Sequence, residues 1–182
     1  MRYFQITEDE RILNAAKPMG ITDIPKEMLT RERVHELDDW LLQFQVREQP
    51  GGGRFVDFIE RPIPLYSEPF KRHLEKCSKQ LHVQPVVLTD LKHLKQESYW
   101  LVVPPVVHCV SEQSEFRKDG TLQQLVIQEE QIRHPFFKVG GLLEDVLVVD
   151  LAMAESILRR GLTGMRFKRL SSVAKGKEMT SG

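Results

Sequence analysis

The sequence predicts an α+β fold, a single domain with a mostly antiparallel or mixed sheet and two helices, near residues 67–80 and 151–160. Short apolar segments bounded by turn residues recur along the chain and outnumber the segments of helical period. Each of the two helical segments begins at a residue suited to capping. A chain of 182 residues can fold around one core without a metal or a disulfide, and we expect no cofactor.

The first helix is predicted to begin at Ser67, whose hydroxyl can accept a hydrogen bond from the first turn. Glu68 suits the positive end of the helix dipole, and Pro69 stands where its missing N–H is not needed. Apolar residues then follow at intervals of four, three and four positions, which predicts a core-facing stripe of Phe70, Leu74, Cys77 and Leu81.

The second helix is predicted to begin after Asp150 as its cap and to end at Gly161. Its predicted apolar face comprises Leu151, Ala154, Ile157 and Leu158. Strands at 146–150 and 165–170 are expected on either side of it. This segment is therefore predicted to form a strand–helix–strand unit that serves as scaffold.

Further strands are predicted at 1–6, 55–59, 83–88, 99–103, 106–110 and 122–127. Between residues 7 and 49 the pattern is mixed, and Thr30 is a possible cap for a short helix. The glycines at 51–53 predict a mobile loop. Residues 171–182 have too little apolar content to pack, which predicts a disordered tail after a domain spanning residues 1–170.

Composition argues against several classes of protein. Lys and Arg together number 26, as do Asp and Glu, so no overall positive charge favours nucleic acid. The N-terminus lacks the apolar stretch of a signal peptide, and no apolar run is long enough to cross a membrane. Cys77 and Cys109 lie in apolar contexts without CxxC spacing, which predicts two buried thiols in a reduced, cytoplasmic protein.

Two groups of residues suggest chemistry. His35, Asp38 and Asp39 have a spacing compatible with metal-assisted hydrolysis, although an ordinary charged helix face has the same pattern. His73 and Cys77 stand four positions apart on the first helix, but no second pair of ligands completes a zinc site. We therefore predict no catalytic residues and no metal ligands.

Several segments resemble a known family. They are the helix start at 67–70, the strand at 99–102, the stretch at 107–116, the strand at 136–139 and the Gly-Leu-Thr-Gly-Met-Arg-Phe segment at 161–167. This order resembles the bacterial polymorphic-toxin immunity family called immunity-protein eleven, or the myxobacterial-type immunity domain. The chain keeps Cys109, Val110 and Ser114 of the family's most specific block, and has His108 and Ser111 where acids are common.

The resemblance implies a cytoplasmic α+β protein that binds and neutralises a cognate toxin without catalysis. Residues 61–170 would be the family-like core and residues 1–60 a variable part that carries partner specificity. Large side chains in or beside that part are our predicted contacts with the toxin: Trp40, Phe44, Arg54 and Tyr66, with Tyr3 as a further candidate. Two alternatives stay open. One is a metal-dependent hydrolase that uses the His35, Asp38 and Asp39 cluster. The other is a general protein-interaction module, for example one that forms a homodimer.

Overall fold

The computed structural model describes residues 1–20 and 23–174 and shows the predicted α+β fold, with mixed and antiparallel sheets. The strands are β1 Tyr3–Glu8, β2 Gln43–Gln45, β3 Phe58–Ile59, β4 Leu65–Ser67, β5 His82–Asp90, β6 Lys95–Val103, β7 Val106–Val107, β8 Glu115–Phe116, β9 Leu122–Gln124, β10 Val126–Gln128, β11 Phe136–Val139, β12 Leu147–Asp150, β13 Met165–Arg169 and β14 Ser171–Val173. The helices are α1 Glu68–Cys77 and α2 Leu151–Arg159.

The chain forms two compact units. The larger unit comprises Thr7–Pro104 and Ile157–Arg166, and the smaller unit comprises Met1–Ile6, Pro105–Ser156 and residues 167–174 of the described chain. The predicted extent of a single domain, residues 1–170, stays a prediction.

The larger unit contains a five-stranded sheet in the order β2-β5-β6-β4-β3. β2 runs parallel to β5, and the other neighbours are antiparallel. Alternate residues of the sheet, such as Val86, Leu88 and Leu101, join a buried apolar core. Helix α1 contacts β4 and β6, where Phe70 packs against Tyr66 and Phe58 with ring centroids 5.2 and 6.3 Å away.

Helix α1 begins as predicted, because the Ser67 hydroxyl accepts a hydrogen bond from the Phe70 backbone N–H at 3.3 Å. Its predicted buried stripe is wrong at the C-terminal end. The helix ends at Cys77, whose thiol is exposed, and Leu81 lies beyond the helix. His73 is buried instead, because it lies on the same helical face as Phe70 and Leu74.

The Asp57 carboxylate joins three distant parts of the larger unit, and we call this arrangement the Asp57 junction. One carboxylate oxygen accepts the Ser67 hydroxyl at 2.6 Å, and the other accepts the Thr163 N–H and hydroxyl at 2.8 and 3.0 Å. Beside it, Phe58 N–H donates to the Thr163 carbonyl at 3.1 Å. Gly164 has φ +95, and a Cβ at that position would lie 2.5 Å from the Phe58 carbonyl oxygen.

Residues 17–19 cover part of the outer edge of β2. The Met19 N–H donates to the Gln45 carbonyl at 2.8 Å, and the Arg47 N–H donates to the Lys17 carbonyl at 2.8 Å. Pro18 lies directly opposite Val46 in this antiparallel bridge. The outer edge of β2 is thus paired over residues 45–47.

The smaller unit contains a sheet in the order β13-β1-β12-β11-β7, a short β8–β9 hairpin, and a parallel β10–β14 pair. Its core includes Val148, Phe137 and Ile127, and Phe137 meets the ring of Tyr3 edge to face. The predicted cap of α2 is confirmed, since an Asp150 carboxylate oxygen accepts the Met153 N–H at 2.8 Å.

Three other predictions are corrected. Ala154 and Ile157 of α2 are buried as predicted, but Leu158 is exposed and Met153 is buried in its place. Instead of one helix capped by Thr30, the chain forms short 3₁₀ helices at Lys26–Leu29 and Val34–Leu37. The predicted tail begins with β14, which pairs with β10, whereas residues 175–182 lie outside the described residues.

Candidate functional site

A cleft of about 720 Å³ opens in the larger unit, and we call it the N-terminal cleft. It is built from residues 8–20, from Arg47 beyond β2, and from residues 59–62 at the end of β3. Its lining comprises Glu8, Glu10, Ile12, Leu13, Ala16, Lys17, Pro18, Met19, Gly20, Arg47, Ile59, Arg61 and Pro62. Its volume falls within the range of sites that bind a ligand or part of a partner.

Apolar residues form the floor of the N-terminal cleft. Ala16, Pro18 and Ile59 are buried. Ala16 is held in place because its N–H donates to the Arg54 carbonyl at 2.8 Å, and Ala15 bridges Arg54 in parallel. The floor is therefore fixed by backbone hydrogen bonds to segments distant in sequence.

The rim of the N-terminal cleft is exposed, apolar in part and charged. Leu13 is 84% exposed, and Met19 is also exposed. Lys17, Arg47 and Arg61 are exposed and make no ion pair with any residue that the structure describes. An unpaired guanidinium beside exposed apolar surface is typical of protein interfaces.

The loop that leads into the N-terminal cleft is held by Asp9. The Arg11 guanidinium donates two hydrogen bonds to the Asp9 carboxylate, at 2.8 and 2.9 Å. These bonds lower the pKa of Asp9 to about 2, so the carboxylate stays charged across the physiological range. The Asp9 N–H also donates to the Gly164 carbonyl at 3.0 Å, so this loop is attached to the Asp57 junction.

The lining of the N-terminal cleft combines apolar and charged side chains. Among its described residues there is no histidine, cysteine, serine or threonine. Throughout residues 1–20 and 23–174, no group of three or more His, Cys, Asp or Glu side chains could hold a metal ion. The cleft offers a ligand apolar area, the exposed cations of its rim, and the carboxylates of Glu8 and Glu10.

Phe44 lies closest to the N-terminal cleft among the predicted contact residues. It is half-buried and lines a smaller cavity of about 360 Å³ that shares Met19 and Gly20 with the cleft. Arg54 is exposed, and its backbone bonds to Ala16 behind the cleft floor. Trp40 is 41% exposed beside the Val34–Leu37 helix. Their contact with a partner stays a prediction.

The structure corrects the prediction for Tyr66. Its side chain is 0% exposed and lies between Phe58 and Phe70, so no partner can reach it. Burial raises the pKa of its hydroxyl. Tyr3 is likewise buried in the core of the smaller unit. In both cases an aromatic residue on a strand contributes to packing.

The residues that suggested chemistry are separated or differently placed. His35, Asp38 and Asp39 are all exposed around the short Val34–Leu37 helix, and an Asp38 carboxylate oxygen lies 3.6 Å from Nε2 of His82. The prediction of two buried thiols is wrong for Cys77, which is exposed. Cys109 is buried, and burial raises the pKa of its thiol to about 11.

Sequence reasoning missed most of the cleft, because its residues come from three separate segments. The available signal was the stretch 8–20, where a run of four charged residues at 8–11 is followed by a mainly apolar run at 12–16 ahead of Pro18 and Gly20. Such a loop, held on a rigid scaffold, is a common place for binding residues.

Comparison of the chain with models of known protein families finds no match, and comparison with curated proteins finds none either. Within the described residues, neither helix has the length and apolar character needed to span a bilayer.

Proposed function

We propose that this chain is a cytoplasmic immunity protein that binds a cognate bacterial toxin and neutralises it without catalysis. The observation that carries the proposal is the N-terminal cleft, whose buried apolar floor is bordered by Leu13, Met19 and three unpaired cations. It lies mainly in the part of the chain where the resemblance to the immunity family predicts partner specificity.

The scaffold supports the same proposal. Ser67 and Thr163 belong to the segments that resemble the family, and both donate to Asp57. These segments therefore hold the larger unit together, while residues 8–20 provide variable surface upon it. A stoichiometric inhibitor needs such a combination, because a rigid surface loses less entropy on binding.

The cleft residues fit the known composition of tight interfaces. A stable complex buries about 800 Å² on each partner, and arginines with large apolar residues at its centre contribute most of the affinity. Leu13 and Met19 provide apolar contact, and Arg47 and Arg61 provide donors for carboxylates of the toxin.

The direct test uses the product of the toxin gene that neighbours the gene for this chain. We expect a complex of one toxin with one chain in calorimetry, and protection of cells that express both. Absence of a complex and of protection would overturn the proposal. A complex without protection would instead identify a general interaction module.

A charge reversal tests the role of the cleft. We expect Arg47→Glu to weaken the complex about tenfold or more, because it places a carboxylate where the toxin meets a guanidinium. Arg31→Glu is the matched control, since Arg31 is exposed and does not line the cleft. Equal loss of affinity in both variants would show a general effect of net charge.

A further inference from the structure

The turn between β5 and β6 presents two leucines to solvent. Asp90 pairs with Lys95 at the end of the hairpin, and residues 91–94, which we call the hairpin tip, connect them. Leu91 is 59% exposed and Leu94 is 89% exposed. Two aliphatic side chains at the end of the longest hairpin make an apolar protrusion.

The backbone at Leu94 is unfavourable for the residue that occupies it. Leu94 has φ +51 and is the only residue other than glycine with a positive φ in the part of the chain that the structure describes. Glycine or asparagine adopts this conformation with less strain. Leu94 gains no compensating burial in the chain itself, so neither local conformation nor packing explains a leucine there.

Hydrogen bonds hold the hairpin tip in one shape. Asp90 is buried, and its two carboxylate oxygens accept from the His93 N–H at 3.1 Å and bond Nδ1 of His93 at 2.9 Å. The Lys92 ammonium pairs with Glu48 on the neighbouring segment. The leucines are therefore presented by a preorganised turn, which lowers the entropic cost of inserting them into a partner.

The hairpin tip is connected to the N-terminal cleft. Glu48, which holds Lys92, follows Arg47 of the cleft rim in the chain. Lys95, beside Leu94, is exposed and makes no ion pair within the described residues. The hairpin tip is thus held to the segment that supplies Arg47 to the cleft rim, and it has a cation next to its apolar side chains.

We propose that the hairpin tip is a second contact with the toxin, in which Leu91 and Leu94 enter an apolar pocket that has a carboxylate at its rim. This inference rests on the proposed function and specifies the chemistry of the partner. A convex pair of leucines complements a concave apolar site, and Lys95 complements an acid beside it.

The test uses one substitution that we expect to have opposite effects on folding and on binding. Leu94→Asn relieves the backbone strain, so we expect a Tm equal to or above that of the wild-type chain. The same variant removes the apolar contact, so we expect its complex with the neighbouring gene's toxin to be weaker by about tenfold or more. Leu94→Met retains an apolar side chain and should preserve affinity.

Leu158→Gln is the matched control, because Leu158 is an exposed leucine of the larger unit outside the hairpin tip. It should leave the affinity unchanged. Wild-type affinity in Leu94→Asn overturns this inference and leaves the proposed function standing. Failure of the wild-type chain to bind the toxin overturns both.

Direct measurements test two alternative partners of the hairpin tip, a second copy of the chain and a lipid surface. Light scattering of the wild-type chain and Leu94→Asn reports a second copy of the chain, and sedimentation with phosphatidylglycerol vesicles reports a lipid surface. We expect neither dimerisation nor vesicle binding to depend on Leu94. Dependence of either on Leu94 would overturn the assignment to the toxin.

Discussion

The Asp57 junction and the hairpin tip use unusual backbone in opposite ways. At the junction, the positive φ of Gly164 occurs at a glycine, and the carboxylate of Asp57 accepts three hydrogen bonds. At the tip, a positive φ occurs at Leu94, whose side chain remains in solvent. The first arrangement is explained by the folded chain alone, whereas the second is not, and our proposal is that a partner explains it.

The difference separates scaffold from recognition. Residues that obey local conformational rules and satisfy their hydrogen bonds contribute to one native state. A residue that breaks those rules without gain in the folded chain indicates a function, since strain is retained at functional sites. Changes at the junction should therefore reduce stability, while changes at the tip should reduce binding.

Gly164→Ala should have the largest effect on the stability of the junction. The new Cβ would lie 2.5 Å from the Phe58 carbonyl oxygen and 2.8 Å from Val56, in a backbone conformation that alanine disfavours. We expect a loss of about 3 kcal/mol or more in the free energy of unfolding, measured with urea. Gly161→Ala is the control, with φ +66 and no atom within 4 Å of its Cβ, and should lose about 1 kcal/mol.

Asp57→Asn should have an intermediate effect. The amide keeps one acceptor oxygen but places N–H donors against either the Ser67 hydroxyl or the Thr163 N–H. We expect a loss of about 1–3 kcal/mol in unfolding free energy. Asp39→Asn, at an exposed position, should change it by less than about 0.5 kcal/mol. Equal stability of the two variants would show that the junction does not hold the larger unit together.

His73 allows a pH-dependent test inside the same scaffold. The ring is 4% exposed, and neither ring nitrogen has a hydrogen-bond partner among the described residues. Burial, together with the positive charges of Arg160 and Lys76, lowers the pKa of His73 from its ordinary value of 6.5. Stability is therefore lost as pH falls below about 6.5, because the unfolded chain binds a proton there that the folded chain does not.

His73→Leu should remove this contribution. We expect its unfolding free energy to vary less between pH 7 and pH 5 than that of the wild-type chain, measured by urea titration at each pH. Because the substitution removes only this imidazole, the difference in slope between the two chains reports His73. An unchanged slope would show that His73 remains accessible to protons in the folded state.

The scaffold was predictable because its signals are local. The Ser67 and Asp150 caps each depend on a few neighbouring residues, and the structure confirms them. The strands predicted at 83–88 and 99–103 also form, within β5 and β6, whereas those predicted at 55–59 and 106–110 form over only two residues each. Burial at helix ends was not predictable, since Cys77 continues the apolar stripe but terminates α1. Tyr66 was misplaced because an aromatic residue suits an interface and a core equally.

Unlike the scaffold, the cleft and the hairpin tip could not be predicted from local sequence signals. Ala16, Arg47 and Ile59 become neighbours only through long-range pairing, which one sequence does not reveal. Residues 92–97 were expected to connect two strands, yet Lys95 already belongs to β6, so the turn is much shorter. The positive φ of Leu94 has no signature in residue type, because leucine rarely adopts it.

Pro18 affects how the edge of this sheet can associate with another copy of the chain. In its bridge with Val46, the hydrogen bonds to β2 are made by Lys17 and Met19, so the backbone of Pro18 faces away from the sheet. A proline has no N–H to offer an approaching strand. The backbone outside β2 therefore offers no donor at Pro18, and because Pro18 is also buried, this position is closed to the edge of another sheet.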